Sequence, residues 1–552
     1  MSMRRTSRTL LLLTLAAGIL AAGIGGQAAG DPPLVTAARS DNLQAVRAEL
    51  TRGANVNAPG RDGSTALLWS TYNSNLEMTR ALIAAGSPVN TPNHYGVTPL
   101  IQASRTGDAP LIGVLLKAGA DPLARHTDGS TALMAAARTG HTDAIKLLLD
   151  AGSHANTTDT YQEQTALMWA ATDGHASAIT QLIAAGADPN KKARQTTIED
   201  RKHADHPTGG FTALMFAARN GHETAIRALI AGGADTKAVN GDGLTATMVA
   251  IANDRFDLAR TLVELGADAN DGSLYLAADM HDATTDMRAH DGSRLRADHR
   301  NTMTSLDLIR FLLDKGADPN KAFTGQMHST TLCCAPQANS SAFYRAAIAS
   351  DVEALTLMVA KGAKVEWSPT EVKGEAGGAG PGRGVNANVG KTPIMVAMVG
   401  GRGANFAAGP GFGRIGPPPF REAGSRDPLE ALELLLKAGA NPNFKAPDGA
   451  TPLHQAVQAR QVPQIRALVA AGAKLDAVNK ENLTPLQLAE KPEPAGRGTA
   501  NQDPDVFVIK RNTREEVIAA VRELMKLGPD DPTPVPPGAP ADTKKVDPKG
   551  TN

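Results

Sequence analysis

Four stretches of this 552-residue chain carry residue types that could do chemistry. The first, "GVNANVGKT" at 384–392, looks like a phosphate loop, in which backbone N–H groups and a lysine cradle a nucleotide. That loop needs four residues between its first glycine and the Gly-Lys pair, whereas five separate Gly384 from Gly390. No hydrophobic strand leads into it, so nucleotide binding is not expected. The second is a pair of inserts: 279–301 holds His281, His290 and His299 among aspartates, and 197–208 holds His203 and His206. Such clusters could take a divalent ion, but their spacing matches no helix-borne motif such as H-E-x-x-H, and they read as solvated loops. The third is Cys333-Cys334, the only two cysteines. Adjacent cysteines can close only a strained ring, so no disulfide framework exists, and a plain thiol pair in a loop is favoured over a redox switch. The fourth is "DGSTALMAAARTGH" at 128–141, with a glycine turn, a Ser-Thr pair and His141 as a candidate ligand or base. No G-x-S-x-G nucleophile elbow and no zinc-type cysteine spacing occurs.

The fourth stretch returns along the chain, and its recurrence decides how His141 is read. Helix starts of the same kind open at Thr65, Thr98, Thr131, Thr165, Thr212, Thr245, Thr392, Thr451 and Thr484, several of them 33 residues apart. A fixed period in this range is the signature of a solenoid. Each unit has a physical grammar. Threonine caps a helix by accepting backbone N–H bonds, and Pro or Ala follows where a missing N–H costs nothing. Leucine and a small pair then face inward at helical spacing. Gly107, Gly140, Gly174 and Gly221 close the first helix in a left-handed conformation. A second helix, such as 142–152, ends in another glycine, and an Asp-Gly turn leads to the next threonine.

On the Thr-Pro/Ala-Leu starts, the Gly-His turns at 140–141, 174–175 and 221–222, and the "AGADPN"-type ends, the chain resembles the ankyrin repeat family. The resemblance implies an all-α solenoid of about twelve helix-turn-helix units joined by β-turns, between residues 33 and 528. It also implies an interaction scaffold that catalyses nothing, since fold alone does not fix a partner. His141, His175 and His222 become turn residues. The family's Thr-Pro-Leu-His start survives whole only at Thr451–His454; Met134, Met168, Met215, Met248 and Met395 stand at the histidine position elsewhere and read as core filling, not as a soft-metal stack. Two departures are evident. The first unit lacks the threonine start, as a terminal cap can, and the array is regular over about 33–270 but insert-rich over about 271–528.

Composition narrows the partners. With 56 basic and 56 acidic residues the formal charge is zero, so no footprint for nucleic acid or an anionic membrane exists. Residues 1–30 have the order of a secretory signal peptide: Arg4, Arg5 and Arg8, an apolar run from Leu10 to about Ile24, then "GGQAAG". Cleavage after Ala28 or Gly30 would give a periplasmic or secreted chain with no other membrane segment. The Pro-rich residues 529–552 cannot bury a core and read as a disordered tail. The chain is expected to be a monomer with no cofactor and no metal; the competing reading is an enzyme or metal site built by the His/Asp-rich inserts.

Repeat proteins bind along the exposed positions of their first helices and the turns before them. Four residues past the capping threonine stand Trp69, Trp169 and Phe216. The turns add Tyr95, Tyr161 and Phe211, and positions near the helix-ending glycine add Arg105, Arg138 and Arg219. These nine are the candidate partner-binding residues, a mix of aromatic and cationic side chains that suits a protein or peptide. The Gly/Pro-rich insert at 401–425, with Phe406, Phe412 and Phe420, is a further candidate grip on a partner.

Overall fold

The helices of this chain are too short to stand alone. In the computed structural model they run from five to eleven residues, below the length at which an isolated helix holds in water, so each depends on its neighbours. The structure describes residues 30–195, 209–282, 301–323, 340–369, 389–398, 427–491 and 512–535. Within these, 24 helices follow one another, most of them pairing as antiparallel hairpins, and the strands are limited to Ala322–Phe323 and Ser340–Ser341, paired antiparallel with Ala322 opposite Ser341. The chain forms two compact bodies. Among the described residues, one comprises 30–103 together with Pro110–Thr127; the other comprises Ser104–Ala109 and the described residues from Asp128 onward.

The threonine grammar is realised in geometry. Thr65, Thr131, Thr165, Thr245 and Thr484 each accept the backbone N–H three residues on, and Thr212 and Thr392 hold the same extended backbone without that side-chain bond. Leu133, Met134, Ala136, Ile145 and Leu148 show the repeating core, and the methionines at 134, 168, 215, 248 and 395 are all buried.

The turn between the paired helices works as a staple. Gly140 ends the helix Ala132–Thr139 at φ +74°, and His175, which precedes the helix Ala176–Ala184, lays its ring on that glycine from the next unit. His175 Nε2 donates to the Arg138 carbonyl at 2.9 Å; a carbonyl only accepts, which fixes the tautomer. His222 repeats the arrangement on Gly174, with Nε2 at 2.9 Å from the Thr172 carbonyl, and His141 packs on Gly107. Arg255 takes the same slot on Gly221 and bonds the Arg219 carbonyl at 2.8 Å. The histidines are therefore structural.

A second tie runs through the "ADPN" ends. Asn90, Asn156, Asn190, Asn320 and Asn443 each donate Nδ2 to a glycine carbonyl of the following unit, at 2.8–3.1 Å. Their Oδ1 atoms each accept a backbone N–H two residues beyond that glycine. One side chain thus satisfies a donor and an acceptor that the helix end leaves open. Glu366 stands at the same position and accepts the Asn441 N–H at 2.6 Å.

In two units the chain leaves between the two helices and returns on an asparagine. Asn301 accepts the Phe256 N–H at 3.0 Å and donates to the Asp254 carbonyl at 2.6 Å. Asn512 accepts the Val462 N–H at 3.0 Å, and its own N–H meets the Arg460 carbonyl at 2.8 Å. The capping boxes Thr304–Asp307 and Thr513–Glu516 then restart the helices Ser305–Asp314 and Arg514–Leu524.

Two sequence expectations change. The insert expected to be a solvated loop from 279 begins inside a helix, Ser273–Asp282, because the apolar run "SLYLAA" carries the helix past the point where the repeat period fails. His281 there is buried and paired with Asp351. The segment assigned to a tail from 529 is held at its start: Arg522 donates to the Gly528 and Asp531 carbonyls at 3.0 and 2.8 Å, and Thr533 bonds Glu490 at 2.6 Å. Residues 536–552 lie outside the described residues, as do 1–29, 197–208, 401–425, His290, His299, Cys333, Cys334 and Gly384.

His454, in the one complete Thr-Pro-Leu-His start, sits buried between two bonds. Its Nδ1 accepts from the Thr451 N–H at 3.2 Å, and Nε2 donates to the Leu483 carbonyl at 3.0 Å. Burial lowers its pKa below the usual imidazole value, with the Leu483 bond working the other way. A depressed histidine pKa favours the neutral folded form, so its contribution is present above pH ~6.5 and is lost as pH falls through the folded pKa. The units around it are expected to loosen on acidification, read by hydrogen exchange of the helix Pro452–Gln458. His454→Met, the residue other units use, should flatten that pH dependence; an unchanged profile would show another group is responsible.

Candidate functional site

The nine candidate residues fall on both bodies. In the smaller one, Trp69 is half-buried on the helix Ala66–Tyr72, with Arg39 5.6 Å from its ring centroid and Tyr72 edge-on at 5.5 Å. Arg39 is itself held by Asp31 at 2.8 Å. Tyr95, at a turn tip, is 64% exposed. Tyr72, which the sequence reading left out, is equally open and completes this aromatic group.

In the larger body the rest gather on successive first helices. Trp169 is half-buried on the helix Ala166–Thr172, and the Arg138 guanidinium of the preceding unit lies 5.5 Å from its ring. The same register thus occurs twice: an arginine seven residues past the cap of one unit covers a tryptophan four past the cap of the next. Arg219 serves its own unit instead, 5.2 Å from the Phe216 ring and 5.5 Å from Phe211. Phe211 and Phe216 pack at 5.4 Å. Phe216 is therefore only 6% exposed, and Phe211 and Arg219 form the open part of that group. Tyr161, at its turn tip, is 71% exposed, and Arg105 is exposed at the end of the helix Pro99–Thr106. Cation–π contacts at such exposure are worth about 0.5–1 kcal/mol each, and Trp69 and Trp169 stay half-open beneath theirs.

Chemistry of another kind sits deeper in the larger body. Arg345 stands four residues past the cap Ser341, in register with Trp169 and Phe216, yet is 2% exposed and bonds Asp279 at 2.5 Å. Beside it, His281, with its side chain 1% exposed, meets Asp351, which also caps the helix Val352–Ala360 by accepting the Ala354 N–H at 3.1 Å. Burial raises the Tyr344 phenol pKa, and Tyr344 packs against Trp367 at 5.4 Å. These are two buried acid–base pairs. Among the described residues no three His, Cys, Asp or Glu side chains converge in a way that could hold a metal ion. No helix among them is long and apolar enough to cross a membrane.

A family model described as ankyrin repeats in three copies matches residues 34–126, 116–193, 196–273 and 421–493. The chain belongs to the ankyrin repeat family. Among solved structures, this ankyrin chain is similar to the crystal structure of the human ASB11 ankyrin repeat domain, at 25% identity over 42% of this chain and 97% of that one, with a TM-score of 0.36. The comparison with curated proteins gave no match. Ankyrin repeats generally mediate protein–protein interaction, which fits a chain whose exposed rings and arginines stand in repeat register.

Proposed function

We propose that this chain is an exported scaffold that binds a partner protein through its first-helix and turn-tip positions, without catalysing a reaction. One observation carries the reading: in a chain with 3% aromatic residues, half-open tryptophans stand at the same position of two units, Trp69 and Trp169, each with an arginine of the preceding unit beside it, and Tyr95 and Tyr161 stand open at turn tips. Aromatic and arginine anchors of this kind dominate interface energetics. The basic, apolar and small-residue order of residues 1–30 supports export.

The test is capture of a partner from the envelope fraction by the chain from residue 31, beside a variant with Tyr161, Trp169 and Phe211 changed to Ser. Phe216 is left intact because it is buried. A stoichiometric partner is expected for the first, bound at least roughly tenfold more weakly by the second. Equal capture by both would remove the surface assignment, and a native chain still carrying Met1 would remove export.

A further inference from the structure

The larger body treats its arginines in two ways. On second helices they are paired within the chain: Arg227 bonds Glu223 at 2.7 Å, Arg260 bonds Glu264 at 2.8 Å, and Arg466 bonds Glu523 at 2.7 Å. On first helices, Arg105, Arg138 and Arg219 stand seven residues past the capping threonine, all exposed. Arg138 forms only a loose ion pair, its Nε 3.7 Å from Asp173 and beyond hydrogen-bond distance. Arg219 makes only a marginal 3.5 Å contact to Asn220. Two of these guanidinium groups lie over rings, Arg138 over Trp169 and Arg219 over Phe211 and Phe216, and a guanidinium so placed can still offer its N–H fork to carboxylates. Three arginines against Asp173 make this row a local excess of positive charge in a chain that is neutral as a whole.

We propose that the first-helix row from Arg105 to Arg219 takes an extended acidic peptide segment of the partner, carboxylates on the arginines and aliphatic stems on the rings. This rests on the scaffold reading above and adds the partner's chemistry. The repeat sets a spacing. Packed helices lie about 8–10 Å apart, and an extended chain covers about 3.3–3.6 Å per residue. One unit therefore spans about three peptide residues, and since the Thr165 unit carries Thr172 where its neighbours carry arginine, carboxylates should fall about three residues apart for Arg105 and Arg138 and about six apart for Arg138 and Arg219.

The probe is poly-L-glutamate of about fifteen residues, long enough for this row, titrated against the chain from residue 31 while Trp fluorescence is followed. Poly-L-glutamine and an oligothymidylate of equal charge are the comparisons. Binding is expected for glutamate alone, weakening roughly tenfold between low salt and ~0.5 M salt. Arg138→Gln with Arg219→Gln should weaken it by roughly tenfold or more, while Arg227→Gln with Arg260→Gln should not. Circular dichroism checks that each variant is folded. Absence of glutamate binding, equal loss in both double variants, or equally tight oligothymidylate binding would each overturn the proposal. The two readings fail separately. A native partner held through Trp169 but indifferent to Arg138→Gln with Arg219→Gln leaves the scaffold and removes the acidic segment, whereas capture indifferent to the ring variant removes the scaffold assignment itself.

Discussion

Asp279→Ala is expected to cost about 3–5 kcal/mol, because it strips a buried guanidinium of its counter-charge. Arg345 is 2% exposed and bonds Asp279 at 2.5 Å, so neither partner can recover its hydration without opening the structure. The pair itself need not be stabilising: desolvating two ions consumes most of what their attraction returns. Asp279→Leu combined with Arg345→Met should therefore recover most of the loss. An array of units unfolds piecemeal, so one global midpoint is the wrong observable. Hydrogen exchange in the helices Ser273–Asp282 and Ala342–Ile348 reports the effect where it arises. A loss under about 1 kcal/mol in the single variant would mean that the guanidinium is satisfied without Asp279.

Gly140→Ala should destabilise by about 2–3 kcal/mol, from two sources that can be separated. The residue lies at φ +74°, where any Cβ is strained by about 1–2 kcal/mol. A Cβ there would also stand 2.4 Å from His175 Nδ1, closer than atoms tolerate. His175→Ala removes the ring and loses the bond to the Arg138 carbonyl, about 1 kcal/mol. The double variant should then cost less than the sum of the singles, since the clash is gone and only the backbone strain persists. Hydrogen exchange of the helices Ala132–Thr139 and Ala176–Ala184 in the four chains measures this. Strict additivity would show that the ring does not rest on the glycine.

The sequence disclosed what is local and periodic. Capping threonines, left-handed glycines and the methionine core are each decided by a few neighbouring residues, and the structure has them as read, except that Thr212 and Thr392 make no side-chain capping bond. The ties between units were harder, because they join residues a full period apart. "ADPN" is visible as a recurring string, but nothing in the string says that Asn156 reaches Gly186. The arginine–ring pairs were likewise missed: Trp169 and Phe216 were singled out by position, while the exposure of each is set by Arg138 and Arg219. A search for an arginine seven residues past the preceding unit's helix cap would have found Arg39–Trp69 and Arg138–Trp169. The buried pairs were hidden by the broken period. Asp279 and His281 follow the last regular unit and look like part of an insert, and Arg345 occupies a position whose equivalents are partly open. Burial of charge is decided by tertiary surroundings, which composition does not encode.

The asparagines at 301 and 512 have an evolutionary side. Each re-enters the frame on the same backbone groups of the preceding unit, whatever was spelled out since the first helix ended. Selection can therefore lengthen, shorten or rewrite the excursion without renegotiating the frame, much as a clasp holds any pendant. The units stapled by histidine on glycine lack this freedom, since two consecutive residues make both the turn and the tie. Novelty in this lineage should accumulate at the asparagine-closed sites, and those are where a foreign sequence can be grafted for display.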